Sequence, residues 1–560
     1  MLKLKDLTLT SVIEASASAF PHLTAVQTWR VPESKMSFPV LLKKSRQIAL
    51  FLLKKGIGKG DKVAILGESC PNWGLSYLAA NRIGAVAVPI LPNFSRDEVQ
   101  SILLHSEAKI VIVNSKHAAK VTGLDIGVIR MDDMFFVPQS SLEEFDGMNF
   151  KSLGAADTCN AEVDSDAIKL LENYRPVEED LASIIYTSGT TGTPKAVMLT
   201  NRNIVYNAYE CSTPFIKIHP GWTALSILPM SHVYEFTIGF VLLILNGVQI
   251  VYLGKAPSTD SLMPAFKELQ PEVMLSVPLL IEKIYRRALL PKLKEGTRLG
   301  KFARNKFTAP FVYSIIGKKV KTIFGGRMRF FGVGGAAFDS EAEAFFHRIH
   351  FPYALGYGLT ETSPFIAGCG PKDQVVGTLG PVLKSLDVKL DPKSGEILVK
   401  GPSVMKGYFK NDELTKESFT EDGYFRTGDI GEFRKGRLAI CGRCKTMILG
   451  PSGENIYPEN IEFLINAEED VVESLVIPEA GGLTAMIRLD LKALKRKGIV
   501  ATDQIQVYIN SIRKRVNEKL ASFSRIGKVE IQEEPFERTP TDKIKRFLYQ
   551  NRRKNENSRH

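Results

Sequence analysis

Ten residues near the middle of the chain, Tyr186-Thr187-Ser188-Gly189-Thr190-Thr191-Gly192-Thr193-Pro194-Lys195, have the composition of a phosphate cradle. Glycine lacks a Cβ, so the backbone can turn sharply and bring N–H groups against an anion. The Ser and Thr hydroxyls add rotatable donors, and Lys195 adds a point charge on a flexible stem. The segment is not a Walker A loop, which needs four residues between its glycines and a Lys-Ser/Thr directly after. It is not the dinucleotide fingerprint either, because it contains no Gly-x-Gly-x-x-Gly. A flexible linker is the plain alternative. A buried strand, Leu181 to Tyr186, and a lysine flank the loop, and linkers rarely have either.

Four further segments carry groups of the same kind. Gly334-Gly335-Ala336-Ala337 is a tight turn after an expected strand, Met328 to Val333. Tyr357-Gly358-Leu359-Thr360-Glu361-Thr362 supplies an aromatic face, a hydroxyl and a carboxylate after a short strand-like run. Tyr424 to Asp429 puts an acid just past a β-turn, and Pro540 to Arg546 places lysines near the C-terminus. Singly, each has an ordinary explanation. An Asp after Gly is a turn residue, a Tyr beside Gly packs, and a terminal Lys is solvated.

The elements that must hold these groups follow from periodicity. Between 41 and 135, helical and strand-like stretches alternate. Leu41 to Lys54, Asn72 to Arg82 and Ser95 to Ser106 read as helices. Lys62 to Gly67, Gly84 to Pro89 and Lys109 to Val113 read as strands. That alternation predicts doubly wound parallel sheets. The pattern resumes from 197 to 290, with strands at Val248 to Tyr252 and Val273 to Val277. Pro291 to Ile323 reads as basic, largely helical and surface-exposed. Residues 383 to 440 read as a small β subdomain, and a smaller α+β unit follows. The fold class is therefore α/β, with a large N-terminal domain over 1–442 and a mobile C-terminal domain over 443–560.

Composition narrows the function. A chain of 560 residues needs two or three packed units. Its apolar fraction of 44% and charged fraction of 24% are those of a soluble globular protein. The N-terminus lacks a signal-peptide pattern. Phe236 to Tyr252 is interrupted by Asn246-Gly247, so it reads as a buried helix and strand rather than a membrane span. Six cysteines in so long a chain form no disulfide framework, and the lone Cys441-Gly442-Arg443-Cys444 is a poor zinc site. The expected setting is the cytoplasm, with peripheral attachment to a membrane left open. The net charge of +12 suits polyanionic cofactors, acidic carrier proteins or membrane surfaces. No interleaving of basic and aromatic residues marks nucleic-acid binding.

In this order and at these separations, the motifs resemble the adenylate-forming enzymes: acyl- and aryl-CoA synthetases, luciferases and the adenylation domains of peptide synthetases. The resemblance runs from about Leu41 to Arg546. It implies ATP and CoA as co-substrates and Mg²⁺ as cofactor. Thr187, Ser188, Gly189, Thr190, Thr191 and Lys195 would cradle the β- and γ-phosphates. Tyr357 would stack on adenine beside Gly358 and the Gly335-Ala336 turn. Thr360 would meet the α-phosphate, and Glu361 with Thr187 would hold Mg²⁺. Asp429 would accept from the ribose hydroxyls, with Arg443 assisting. Lys543 would be the mobile cation of adenylation, and Lys445 the hinge. Gly453, Glu454 and Asn455 would line the CoA side after rotation. Asp542 and Thr446 depart from the family pattern, where many relatives have Gly and an acid.

Leu228 to Phe236 resembles the segment leading into the acyl tunnel of long-chain fatty acyl-CoA synthetases, with His232 near the substrate carboxylate. His232 capping a buried helix is the plain alternative. The expected reaction is fatty acid activation to acyl-AMP, then transfer to CoA. Transfer to acyl carrier protein is the alternative acceptor, and a silent nucleotide- or acyl-binding protein is the remaining one.

Overall fold

The computed structural model describes residues 2–137, 157–159, 162–187, 195–212, 217–293, 297–449, 454–479, 482–539 and 544–550. Ser188, Gly189, Thr190, Thr191, Gly453, Asp542 and Lys543 lie outside the described residues.

Two large mixed sheets dominate. Four strands of the first, Lys62–Leu66, Val86–Ile90, Ala108–Val113 and Gly127–Arg130, run parallel. Val63, Ala64, Ile65 and Leu66 are all fully buried, the continuous apolar run of a strand covered on both faces. The helices Phe38–Lys54, Pro71–Arg82 and Arg96–Ser106 agree with the predicted ones to within a few residues. Ser95 caps the last of these in a reciprocal capping box with Glu98.

The second sheet has eight strands, with Thr223–Ser226, Gln249–Tyr252, Val273–Ser276, Phe330–Val333 and Tyr353–Gly358 parallel at its centre. Its far edge comes from the N-terminus, Thr24–Thr28 and Val31–Ser37, which periodicity from residue 41 onward did not reach. A four-stranded antiparallel sheet spanning Asp387 to Arg443 is the expected β subdomain. Residues from Ile448 onward form an α+β unit around a three-stranded sheet, with apolar cores of their own.

Two expectations need correction, and two gain detail. The Gly-rich loop follows the strand Leu181–Thr187, as expected. It joins two antiparallel strands, Leu181–Thr187 and Lys195–Thr200, as a hairpin, with Thr187 paired to Lys195. Asp429 lies within the strand Phe425–Arg434 rather than just past a turn; Gly428, at φ +71°, makes the local kink that the eye takes for one. The basic stretch from 291 is helical but only half outside. Val312, Ile316 and Val320 of the helix Ala309–Ile323 are buried, because its apolar residues recur every four positions. The apolar run from Phe236 is a buried helix followed by the strand Gln249–Tyr252, as expected; the helix includes a π-helical stretch, Glu235–Val241, before the α-turn Leu242–Leu245. Among the described residues no helix is long and apolar enough to cross a membrane.

Candidate active site

Strand ends and strand registers bring the distant motifs together. The hairpin pins both ends of the loop 188–194: Lys195 is the strand partner of Thr187, and the Thr187 hydroxyl reaches the Lys195 carbonyl at 3.5 Å. A short third strand, Gly407–Tyr408, pairs with Lys195–Thr200 and lays Tyr408 beside the loop. The Tyr408 hydroxyl donates to Glu361 Oε1 at 2.9 Å, and Lys195 Nζ donates to the Tyr408 hydroxyl at 3.4 Å. The lysine also stands over the Tyr408 ring, 4.9 Å from its centre. The Met405 N–H binds the Glu361 carbonyl at 2.8 Å, so one segment fixes both the backbone and the side chain of that acid.

Burial lowers the Lys195 pKa, the Glu361 carboxylate opposes that, and Lys445 pushes it down further. The exposed Lys445, in the turn after the β subdomain, is thus within electrostatic reach of Lys195. Burial first and Glu361 second raise the Tyr408 phenol far above its ordinary value, so it stays a donor.

A second cluster forms where Tyr353–Gly358 meets the β subdomain. The Tyr357 hydroxyl donates to Asp429 Oδ2 at 2.9 Å, and Arg443 Nε lies 3.1 Å from Asp429 Oδ1. Asp429 and Arg443 are register partners across an antiparallel strand pair, which explains why residues so far apart in sequence meet. Asp429 is only 3% exposed, and its own N–H is held by the Thr427 hydroxyl. Burial and the Asp429 charge raise the Tyr357 phenol well above its usual range. Gly358 is obligatory here, because a Cβ would stand 1.7 Å from the Pro364 carbonyl oxygen. Gly335, Ala336 and Ala337 are exposed at the end of the neighbouring strand Phe330–Val333, with Gly335 at φ +86°. Thr360 and Glu361 begin the 3₁₀ turn that follows Tyr357.

A narrow apolar cavity of about 30 Å³ lies beside the strand Tyr353–Gly358. Tyr234, Ile238 and Leu242, four residues apart on one helical face, form one wall; Gly332, Leu355 and Gly356 form the opposite one. The Tyr234 ring also packs 3.3 Å from where a Gly334 Cβ would stand, so the cavity and the Gly334–Ala337 turn share a wall. His232 is half-buried at the start of this segment, and its carbonyl accepts the Phe236 N–H at 3.0 Å.

Behind that wall stands Glu235, 2% exposed. Ser226 donates to its Oε1 at 2.6 Å, while Oε2 is buried without a partner. Burial raises its pKa to about 8 against the pull of the Ser226 hydrogen bond, so it is mostly neutral at pH 7. Gly239 makes room for it: a Cβ there would lie 2.7 Å from the carboxyl carbon.

The residues on either side of 540–543 are anchored. Arg538 pairs with Ile544 across a β-bridge and with Glu473 through its guanidinium. Arg546 binds Glu462, whose pKa burial raises to about 7. Glu454 is half-buried just ahead of the two-residue strand that begins at Asn455. The C-terminal unit rests on the larger one through Arg286 Nη1 to the Ala467 carbonyl, 3.1 Å, and Asn460 Nδ2 to the Cys441 carbonyl, 3.2 Å.

Sequence reasoning missed Tyr408 and Glu235. The first sits in Gly407-Tyr408-Phe409, which reads as strand packing, and the second was counted into a tunnel entrance.

The structure resembles ATP-bound MatB from Rhodopseudomonas palustris, with TM-score 0.74, 23% identity, and 98% and 99% of the two chains covered. It also resembles the o-succinylbenzoate CoA synthetase MenE of Bacillus subtilis in complex with ATP and magnesium, with TM-score 0.71, 21% identity, and 96% and 98% covered. In sequence, the chain is 28% identical to the long-chain-fatty-acid–CoA ligase FadD15 of Mycobacterium bovis, over 90% of this chain and 88% of that one. It is also 28% identical to fatty acyl-CoA synthetase A of Dictyostelium discoideum, over 75% of this chain. That match spans 66% of the Dictyostelium protein, slightly under two thirds of its length. The AMP-binding enzyme profile matches residues 13–409, and the chain belongs to that family.

Proposed function

We propose that this chain is an AMP-forming long-chain fatty acid–CoA ligase. The observation that carries the reading is the shared wall: an apolar cavity and the turn assigned to the adenine side meet at Tyr234 and Gly334. The names of the sequence relatives support the same acid class.

In this reading the narrow cavity marks where the fatty acid chain enters, widening as the chain binds, and the carboxylate emerges near His232 and Thr360. Each methylene buried there contributes roughly 0.8 kcal/mol. The carboxylate attacks the α-phosphorus of ATP, forming the acyl-phosphate anhydride and releasing pyrophosphate. The thiol of CoA then attacks the acyl carbonyl, AMP leaves, and the thiol proton passes to solvent. Lys195 and the 188–191 donors hold the pyrophosphate moiety. Asp429, fixed by Arg443 and Thr427, accepts from the ribose hydroxyls once Tyr357 turns to adenine.

Glu361 and Thr187 suit Mg²⁺. Magnesium binds through one or two carboxylates plus substrate phosphates, and Tyr408 occupies only one of the Glu361 oxygens. Among the described residues no cluster of three His, Cys, Asp or Glu competes as a metal site. The ion would neutralise phosphate charge as pyrophosphate leaves.

We place the domain boundary at Gly442. Lys543 on the C-terminal unit would serve adenylation, and rotation at Lys445 would then bring Glu454 and its neighbours to the thiol. Acid-dependent ATP–pyrophosphate exchange followed by CoA-thioester formation tests the reading. Absence of exchange with every acid from octanoic to octadecanoic would sink it. Comparing CoA with acyl carrier protein as acceptor decides between the two thiols. Lys543→Ala should abolish exchange yet leave thioester formation from supplied acyl-adenylate; equal loss of both refutes the role of Lys543.

A further inference from the structure

Outside the active site, one surface combines features that the ligase reading does not use. Residues 297–323 contain seven Lys or Arg and no Asp or Glu. The helices Arg298–Arg304 and Ala309–Ile323 lie side by side there. Phe302 is 56% exposed, Phe307 95% and Phe311 71%, with Ile315 beside them at 39%. Scattered apolar residues are ordinary on a protein surface, but three phenylalanines this exposed within ten residues, on two adjoining helices and the turn between them, mark an interaction site.

The patch is held rigidly. Val312, Ile316 and Val320 seat the longer helix on the body, and its Gly317 packs so closely that a Cβ would stand 2.2 Å from the Ile349 carbonyl oxygen. The opposite face therefore points outward by construction. It carries Phe311 and Ile315 in its first half and Lys318 and Lys319 in its second. Lys301 and Lys306 flank Phe302 and Phe307, and both are exposed. Arg348 from the next helix stacks on Tyr313 and adds a further cation.

We propose that this surface docks the protein on an anionic lipid bilayer. Phe302, Phe307 and Phe311 would enter the headgroup boundary, and the surrounding lysines would pair with lipid phosphates. Aromatic residues on an amphipathic helical surface rimmed by lysine are what an interface of that chemistry selects. Phe307 stands almost wholly clear of the protein at a turn between helices, a projection suited to insertion into a fluid layer rather than to a complementary protein face. The inference is independent of which acid the enzyme activates.

Vesicle flotation with the full chain tests it. The wild type should float with phosphatidylcholine–phosphatidylglycerol vesicles, float far less with phosphatidylcholine alone, and come off as salt rises. The triple variant Phe302→Ser/Phe307→Ser/Phe311→Ser should lose at least about tenfold in partitioning, since each ring removes buried apolar area. Lys301→Glu/Lys306→Glu/Lys318→Glu should lose only the preference for the anionic lipid. Both variants should keep wild-type ATP–pyrophosphate exchange with a short soluble acid, which verifies their folding. A wild type that stays with the unfloated fraction overturns the proposal, as does a Phe variant that floats unchanged. Capture of an acidic carrier protein by the same lysines, with no binding to vesicles, also overturns it.

Discussion

Replacing Glu235 with Gln should change how stability responds to pH. Burial holds the Glu235 pKa near 8, while in the unfolded chain it returns to the ordinary value of 4.5. Between those values the folded state keeps a proton that the unfolded state has released. The folded state therefore binds more protons, and stability falls as pH rises through this window. The slope is about 1.4 kcal/mol per pH unit, or about 2.7 kcal/mol between pH 5.5 and pH 7.5. Unfolding a unit of roughly 440 residues releases about 0.9 kcal/mol of entropy per degree, so the loss equals about 3 °C in Tm. Glutamine keeps the shape and the Ser226 contact without the proton. The gap between the melting temperatures of Glu235→Gln and the wild type should widen by about 3 °C from pH 5.5 to pH 7.5, and level off above about pH 8. Two other raised carboxyls, Glu343 and Glu462, titrate in both proteins and cancel from the difference. Differential scanning fluorimetry across that pH range suffices. A gap that stays flat would show that the carboxyl is charged in the folded state, and the account of a neutral Glu235 behind the cavity wall would be wrong.

Tyr408→Phe removes a donor to the Glu361 carboxylate worth about 1.5–3 kcal/mol. Pyrophosphate exchange should fall about 10- to 100-fold and need more magnesium; an unchanged magnesium titration counts against Tyr408 as a positioning residue. Ile238→Trp fills the cavity between Tyr234 and Leu242, so product analysis with mixed acids should shift to shorter chains at unchanged KM for ATP. Asp429→Asn leaves Arg443 without its charge partner and weakens ribose recognition; KM for ATP should rise about tenfold or more, with the acid preference unaltered.

What could be read from the sequence follows from what periodicity records. Parallel strands buried on both faces are runs such as Val63 to Leu66, and the helices between them announce their starts, Pro71 at a first turn and Ser95 as a cap, so the sheets were legible almost to the residue. The motifs were legible because glycines, hydroxyls and charges at strand ends have few structural uses in common. Pairing was not legible. Whether Leu181–Thr187 runs into a helix or folds back on Lys195–Thr200 depends on hydrogen bonds between strands, to which periodicity is blind. Tyr408 is recruited by that same pairing. It reaches Glu361 only because Gly407–Tyr408 adds a third strand beside the hairpin, and no local signal distinguishes that tyrosine from a packing residue.

Glu235 was hidden for a different reason. An acid inside an apolar run reads as a surface residue or an entrance, since a buried charge is costly. Here the cost is avoided by losing the charge rather than by pairing it. Gly239 gives the neutral carboxyl its space, and Ser226 gives it one hydrogen bond. The π-helix spreads its turns at the place where Tyr234 and Ile238 face the cavity and Glu235 faces away from it. The helix that carries Glu235 also carries the cavity wall at Ile238, so the stability experiment on one and the specificity experiment on the other probe the same element.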